Sequence, residues 1–157
     1  MNAAETFLSQ VRNARGDLAA VLRLTLDYFQ ADTGTFHELG PDGLLHLRAW
    51  EGSIPNALLS VIGTIPVGKG IAGMAVERNE PIGLCNLQTE HSDMARPEAK
   101  KTGVRGSLCV PLRSCGQATG ALGIGTKDKR EFSDAEIALL METGRLVVGI
   151  SAPDNRS

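Results

Sequence analysis

The chain has 157 residues, which fits one domain that can bury a core of its own. A hydrophobic fraction of 42% and a charged fraction of 22% are typical of soluble globular proteins, and no apolar run approaches the roughly 18 residues of a membrane span. A net charge of -2 and only two Lys/Arg doublets, at 100–101 and 129–130, argue against nucleic-acid binding.

The two ends of the sequence and its cysteines indicate a compartment and a pair of helices. The first eighteen residues lack the apolar segment of a secretory signal, and three cysteines do not suggest a disulfide framework, so we expect a cytoplasmic protein. Residues 1–31 carry apolar side chains at mostly three- and four-residue steps, which predicts an amphipathic N-terminal helix with a break at Gly16. Ser133 and Asp134 begin a capped C-terminal helix predicted over 133–152, followed by a tail at 153–157.

These terminal helices also suggest an assembly. Their apolar positions exceed what one sheet face is expected to cover, and they include Phe7, Leu18, Leu26, Leu140 and Val147. Apolar surface left uncovered in a soluble protein often marks an interface. We therefore expect a homodimer formed through the terminal helices.

A β-hairpin is predicted in TFHELGPDGLLHLRAW, residues 35–50. Pro41 fixes a negative φ, which excludes a type I′ turn and favours a type I turn with Gly43 as a bulge. This turn pairs Glu38 with His46, and two candidate ligands are too few to indicate a metal site. The resulting alternation predicts a mixed face with Phe36, Glu38, His46, Arg48 and Trp50, and an apolar face with His37, Leu39, Leu45 and Leu47.

The middle of the chain predicts short elements and then two longer strands. Short helices are predicted for IPNALLSVIG at 54–63 and for residues 71–78, and a strand for PIGLCNL at 81–87. RGSLCVPLR and TGALGIGTK are predicted as strands joined by a hairpin connection, so the sheet should be mainly antiparallel.

These last two strands place their side chains on opposite sides by alternation. Leu108, Val110, Leu112, Leu122 and Ile124 share one side, whereas Ser107, Cys109, Pro111, Ala121, Gly123 and Gly125 share the other. A face of small residues either leaves volume for a ligand or lets a helix backbone approach closely. Both interpretations stay open at this point.

Four glycines, at 68, 70, 73 and 83, lie within IPVGKGIAGMAVERNEPIGLCNL, residues 65–87. A phosphate-binding P-loop needs Ser or Thr after its Gly-Lys, whereas Lys69 is followed by Gly70. A dinucleotide-binding loop must follow a buried strand and open a long helix, and neither is predicted here. We interpret the glycines as the boundaries of a short helix that lies as a lid over the mixed face of the sheet.

The motifs PVGKGIAGMAVERNEPI, GVRGSLCVPL, GALGI and REFSDAEIALL occur in an order and spacing that resembles the GAF domain, a family of small-molecule sensor domains related to the PAS fold. The resemblance covers nearly the whole chain and implies a single domain over 1–157. It implies an α+β fold with a central, mainly antiparallel sheet of five or six strands. The N- and C-terminal helices would cover one face, and short helices would roof a ligand pocket on the other.

The family also contains enzymes, which this chain resembles less well. Free methionine sulfoxide reductases use cysteines in the lid helix and the following loop, where this chain has Ala72, Met74 and a cysteine-free loop. Its cysteines, at 85, 109 and 115, lie on or beside predicted strands, where a cysteine usually acts as a small buried hydrophobe.

The family also contains two groups of specialised ligand-binding domains, and this chain matches their motifs only in part or not at all. Bilin-binding relatives attach the chromophore to a cysteine usually followed by histidine, whereas Asn86 follows Cys85 and Val110 follows Cys109. The motif of cyclic-nucleotide-binding relatives is matched only through Thr126, Lys127, Phe132, Asp134 and Glu136.

The resemblance and the alternation together predict a compact, partly polar pocket. The candidate ligand-binding residues are Phe36, Trp50, Ile71, Met74, Leu84, Asn86, Met94, Arg105, Ser107 and Cys109. Arg105 is the obvious partner for an anion, and Asn86, where most relatives have aspartate, removes a negative charge. No catalytic residue, metal ligand or cofactor is predicted.

We therefore expect a non-catalytic sensor domain that binds a small anion, such as nitrate, or a small polar metabolite. Its output would pass through a partner signalling protein such as a kinase or a regulator, with no nucleic acid or membrane as partner. Two alternatives stay open, a redox enzyme of the free methionine-(R)-sulfoxide reductase type and a ligand-free dimerisation module.

Overall fold

The computed structural model describes residues 2–85 and 104–148. Its elements are α1 Ala3–Ala14, α2 Leu18–Phe29, β1 Thr33–Leu39, β2 Leu44–Gly52, α3 Asn56–Ile62, β3 Thr64–Pro66, α4 Gly70–Arg78, β4 Ile82–Leu84, β5 Gly106–Ser114, β6 Gln117–Thr126 and α5 Asp134–Val147. The strands form one antiparallel sheet in the order β3-β2-β1-β6-β5-β4. The predicted α+β fold class with a six-stranded sheet is confirmed, and β3 is a strand that the sequence did not predict.

The N-terminal segment forms two helices and not one continuous helix. The helix α1 ends at Ala14, and Asp17 caps α2 by accepting a hydrogen bond from the Ala20 N–H at 3.2 Å. The break predicted at Gly16 is therefore confirmed, whereas a single helix over 1–31 is wrong. The Asp17 side chain accepts a hydrogen bond from an N–H group in the first turn of α2, and a new helix therefore begins after it.

The C-terminal helix begins where its cap predicts. The Ser133 Oγ accepts from the Glu136 N–H at 3.1 Å, and the Glu136 carboxylate accepts from the Ser133 N–H at 2.9 Å. This reciprocal pair is a capping box, which satisfies two N–H groups that the first turn leaves free. Within the described residues, no helix is both long and apolar enough to cross a membrane.

The helices α1, α2 and α5 pack on one side of the sheet, called here the helix face. The core beneath them includes Phe7, Val11, Leu22, Phe29, Phe36, Leu108, Val110, Leu112, Leu122, Ile124, Leu140 and Val147. The predicted placement of the large residues of β5 and β6 on one face is confirmed. Phe7, Leu140 and Val147 are at most 2% exposed within one chain, whereas Leu18 and Leu26 are half-buried, and the homodimer stays a prediction.

The β1–β2 hairpin has the predicted turn but a shifted register further along. Gly43 adopts a φ of 81° in the bulge position, and Glu38 pairs with His46 as predicted. Between Phe36 and His37 the register shifts, because β2 contributes one extra residue, and Thr35 then pairs with Trp50. The extra residue reverses the faces of the β2 residues beyond it, relative to the alternation predicted from the turn.

The predicted mixed face is the one beneath the terminal helices, and the register shift moves only the β2 residues beyond it to the other face. Phe36 pairs with Ala49 and lies in the core of the helix face, so its predicted place in the pocket is wrong. Trp50 instead joins Leu39 and Leu45 on the opposite side of the sheet.

The opposite side of the sheet, called here the lid face, is covered by α4. Leu45, Ala75, Val76, Cys109 and Ala121 form a second buried cluster there. The predicted lid helix is thus confirmed at 70–78, but it covers the apolar face of the hairpin and not the mixed one.

Two of the lid glycines permit a close backbone contact. The Gly68 N–H donates to the Gly73 carbonyl at 2.9 Å, and Gly68 has a φ of 91°. A Cβ added at Gly73 would lie 2.5 Å from the Pro66 carbonyl oxygen. These glycines therefore allow the loop after β3 to lie directly against the lid helix.

Candidate functional site

The lid face carries a strip of small side chains near the start of β1. Thr35 and Gly123 pair across β1 and β6, and Cys109 pairs with the same Gly123 from β5. Ser107 follows two residues before Cys109 and shares its side of the strand. We call Thr35, Ser107, Cys109 and Gly123 the small-residue floor.

The centre of this floor has room for added atoms. A Cβ built at Gly123 would lie 3.4 Å from the Thr35 Oγ1 and 3.6 Å from the Cys109 Sγ, both ordinary contact distances. Thr35, Ser107 and Gly123 are only half-buried. A half-buried floor lined by hydroxyl groups can contact a small, partly polar molecule.

Trp50 stands at the edge of the small-residue floor. It pairs with Thr35, and 46% of its surface is exposed. Among the described residues, Trp50 and Val67 are the only large hydrophobic residues with more than a third of their surface exposed. A large exposed ring beside small polar residues can serve as a ligand wall, because its face contributes contact area at little cost in conformational entropy.

Three further candidates come from the lid helix and β4. Ile71 and Met74 are half-buried on α4 and pack against the cluster beneath the lid. Leu84 is half-buried on β4, and both Ile71 and Leu84 pack against Val104. The structure therefore brings Ile71 and Leu84 together on the lid face.

Arg105 lies just before β5. Its backbone N–H donates to the Thr126 carbonyl at 2.7 Å, which extends the strand pairing by one residue, and its side chain is exposed. Alternation puts Arg105 on the same side of the chain as Ser107. The candidates Asn86 and Met94 lie outside the described residues.

Cys109 is the cysteine nearest the centre of the candidate site. Its side chain is buried, and burial raises the pKa of the thiol to about 12. The thiol is therefore neutral at physiological pH, whereas nucleophilic and redox-active cysteines react as thiolates. Cys85 and Cys115 are exposed and free.

The predicted pairing of Glu38 with His46 is confirmed in register, but their side chains bind other partners. His46 Nε2 lies 2.9 Å from the Asp42 carboxylate, and Arg48 Nε donates to Glu38 at 2.8 Å. The hydrogen bond with His46 lowers the pKa of Asp42. Within residues 2–85 and 104–148, no group of three or more His, Cys, Asp or Glu residues could hold a metal ion.

Thr35 is the member of the floor that sequence reasoning missed. Thr35 and Phe36 are consecutive on β1 and point to opposite faces, and the prediction turned the mixed face of the hairpin, with Phe36, toward the pocket. The available signal was composition, since a phenylalanine fits a core beneath helices better than a half-buried floor.

A family model of the GAF domain matches residues 16–148 of the chain, and the chain belongs to the GAF domain family. It is similar to the GAF domain from an Acinetobacter phosphoenolpyruvate-protein phosphotransferase, with 18% identity, a TM-score of 0.80 and coverage of 99% of this chain and 97% of the other. The corresponding domain from Coxiella burnetii is 23% identical with a TM-score of 0.77, over 98% of this chain and 93% of the other.

An enzyme structure is similar to the chain to a comparable degree. The free methionine-R-sulfoxide reductase from Neisseria meningitidis, in complex with its substrate, has 18% identity and a TM-score of 0.77, over 99% of this chain and 94% of the other. The comparison with curated proteins found no match. At these identities the solved structures establish the fold, which sensor domains and reductases share.

Proposed function

We propose that the chain is a non-catalytic sensor domain in signal transduction, which binds a small anion or a small polar metabolite on the lid face. The observation that carries the proposal is the half-buried, small-residue floor with the exposed Trp50 at its edge. Side chains of this size leave room for a ligand, and the Thr35 and Ser107 hydroxyls supply donors and acceptors for a polar one.

Arg105 is the residue that would select for negative charge. Its guanidinium is exposed on the side of the chain that Ser107 faces, and it can donate two parallel hydrogen bonds to a planar oxyanion. Trp50 would contact an anion and a neutral metabolite alike, because its contribution is contact area. The two residues therefore separate charge recognition from shape recognition.

The ligand would act by shifting the population of two arrangements of the lid helix. Ile71 and Met74 on the lid lie on the same side of the sheet as the floor, so a ligand between them contacts both parts. Such a ligand favours the arrangement to which it binds more tightly. The sensor would be a cytoplasmic homodimer joined through the terminal helices, with a kinase or regulator as its output partner.

A redox enzyme of the free methionine sulfoxide reductase type is the second candidate, because reductases share this fold. Against it, burial keeps the Cys109 thiol protonated, and the lid helix has Ala72 and Met74 and no cysteine. Turnover of free methionine-R-sulfoxide that is lost on replacing one cysteine would establish the enzyme and overturn the sensor proposal. A ligand-free dimerisation module is the third candidate.

Thermal unfolding of the protein with sodium nitrate, cyclic GMP and a panel of small metabolites tests the sensor proposal, with chloride at equal ionic strength as the control for nitrate. A ligand at about a hundred times its dissociation constant adds roughly 2.7 kcal/mol to the free energy of unfolding, which corresponds to a shift of several degrees. Absence of any saturable shift across the panel would favour the dimerisation module.

Variants then locate the site. Trp50→Ala should weaken every ligand that binds, whereas Arg105→Ala should weaken anions far more than neutral ligands. Val67→Ala is the matched control, because Val67 is the other exposed large hydrophobic residue of the described chain and does not belong to the floor. Equal losses for Trp50→Ala and Val67→Ala would contradict the proposed location.

A further inference from the structure

A second concavity, distinct from the small-residue floor, lies at the C-terminal end of the lid helix. It has a volume of about 460 Å³, and its walls include Leu39, Val67, Val76 and Ala118. We call it the turn-side cleft, because Gly116 of the β5–β6 turn also lines it. Leu39 is four residues along β1 from Thr35, so the cleft and the floor are about 13 Å apart along the strand.

The walls of the turn-side cleft are apolar although they face solvent. Val67 is 37% exposed, and Leu39 and Ala118 are half-buried. A volume of this size falls within the range of small-molecule sites. Filling the cleft with an apolar group would remove the Val67 side chain from water, which is favourable in proportion to the area covered.

The polar rim of the cleft carries one carboxylate. Glu77 is the only charged side chain among its lining residues, and within the described part of the chain no hydrogen bond or ion pair engages its carboxylate. The rim lies at the C-terminal end of α4, where the Arg113 guanidinium binds Asn79 and offsets the helix dipole. The Glu77 carboxylate therefore supplies the preference for a cation.

A fixed hydrogen-bond arrangement holds this rim in place. The Asn79 side chain donates to the Gly116 carbonyl at 2.9 Å and accepts from Arg113 Nε at 2.8 Å. Arg113 Nη2 also donates to the Asn79 carbonyl, so its guanidinium is turned onto Asn79. The end of the lid helix is thereby fastened to the β5–β6 turn, and the cleft is formed before any ligand arrives.

We infer that the turn-side cleft binds a small organic cation, with a short apolar body against Val67, Val76 and Ala118 and an ammonium group at Glu77. This site is separate from the proposed sensor site and differs from it in charge preference. A ligand here contacts the C-terminal end of the lid helix, whereas a ligand on the floor contacts Ile71 and Met74.

Amide NMR of the full chain titrated with benzylamine, and with benzyl alcohol as its neutral match, tests the inference. Benzylamine should produce saturable shifts at Val76, Asn79 and Ala118, with tighter binding than benzyl alcohol. Glu77→Gln should weaken benzylamine about two- to fivefold, as expected for a partly solvated ion pair, and leave benzyl alcohol unchanged. Glu80→Gln, an exposed carboxylate just past the helix that does not line the cleft, should change neither.

Three results would overturn the inference, namely shifts that do not saturate, shifts centred on Thr35 and Gly123, or equal affinity of Glu77→Gln and the native protein for benzylamine. The spectra also report whether each variant is folded. If benzylamine does not bind in the cleft, the ligand-binding experiments on Arg105 and Trp50 are unaffected, since they probe the other site.

Discussion

Cys109 and Gly123 face each other across β5 and β6 on the lid side of the sheet, and a Cβ at Gly123 would lie 3.6 Å from the Cys109 Sγ. One methyl group therefore fits at this position without displacing the backbone. The same space is the centre of the small-residue floor. Stability and ligand binding can be separated at this one residue.

Gly123→Ala should leave the protein folded and weaken the sensor ligand by roughly tenfold, equivalent to about 1.4 kcal/mol, because the methyl occupies the ligand's space. Calorimetry with whichever ligand stabilises the native protein measures the affinity. Gly83→Ala is the matched control, since its Cβ would lie 3.7 Å from the Leu108 Cδ1 on an exposed part of β4. Unchanged affinity in Gly123→Ala would place the ligand elsewhere.

The faces of β5 and β6 follow directly from the sequence. Leu108, Val110 and Leu122 alternate with smaller residues and lie beneath the terminal helices, together with Leu112 and Ile124. The pattern holds because any register shift here would expose these leucines and bury glycines in their place. The small-residue side of β5 and β6 could therefore be predicted, although the contribution of Thr35 from β1 could not.

The far half of the β1–β2 hairpin could not be predicted in the same way. Alternation extrapolates a register from the turn, and it does not anticipate the extra β2 residue between the partners of Phe36 and His37. The turn-side cleft was also missed, because it joins a helix end to a turn about forty residues away in sequence. No short sequence motif indicates a contact between two such distant segments.

The lid glycines provide the next prediction. Gly73→Ala should destabilise the protein by about 3 kcal/mol or more, because its Cβ would meet the Pro66 carbonyl oxygen at 2.5 Å and the Gly68 nitrogen at 3.0 Å, both backbone atoms. Urea unfolding gives the change in the free energy of unfolding. Gly16→Ala, where an added Cβ meets nothing within 4 Å, should be neutral or slightly stabilising. Equal stability of the two variants would contradict the close contact.

Arg130 connects the end of α2 to the start of α5. Its Nη1 donates to the Phe29 carbonyl at 2.5 Å, its Nη2 donates to Glu136 at 2.6 Å, and its backbone N–H donates to the Cys85 carbonyl at 3.1 Å. The guanidinium also lies 4.6 Å from the centre of the Phe132 ring. One side chain thus fastens the end of α2 to the start of α5, and its backbone holds the chain just after β4.

Arg130→Ala should therefore lower the free energy of unfolding by about 2 kcal/mol, since it removes two charge-assisted hydrogen bonds from a mostly buried side chain. The stability of Arg130→Lys should lie between those of the native protein and Arg130→Ala, because an ammonium group keeps the charge but lacks the planar set of donors of a guanidinium. Arg145→Ala, which breaks an exposed pair with Glu142, should cost much less, because solvent screens an exposed ion pair. Urea unfolding of the three variants measures the order of their stabilities. Equal losses of stability in Arg130→Ala and Arg145→Ala would contradict the prediction.

His37 should make stability depend on pH in the range where unfolded histidine titrates. The ring is 3% exposed, and Nε2 donates to the Ile62 carbonyl at 2.9 Å, as it must because a carbonyl only accepts. Burial lowers the pKa of His37, the hydrogen bond to Ile62 opposes this in part, and the charge on His46 lowers it further. The folded state therefore keeps this ring neutral at pH values where the unfolded chain takes up a proton.

The sign follows from this difference in proton binding. The contribution of His37 is fully present above its unfolded pKa of 6.5, and it is lost as the pH falls from there through the lower folded pKa, because the unfolded state then binds more protons. Urea midpoints measured from pH 7.5 to 5.5 should fall in the native protein. His37→Gln keeps a donor for Ile62 but does not titrate, so its midpoint should vary less over this range. Identical pH profiles for the two proteins would show that His37 does not carry the effect.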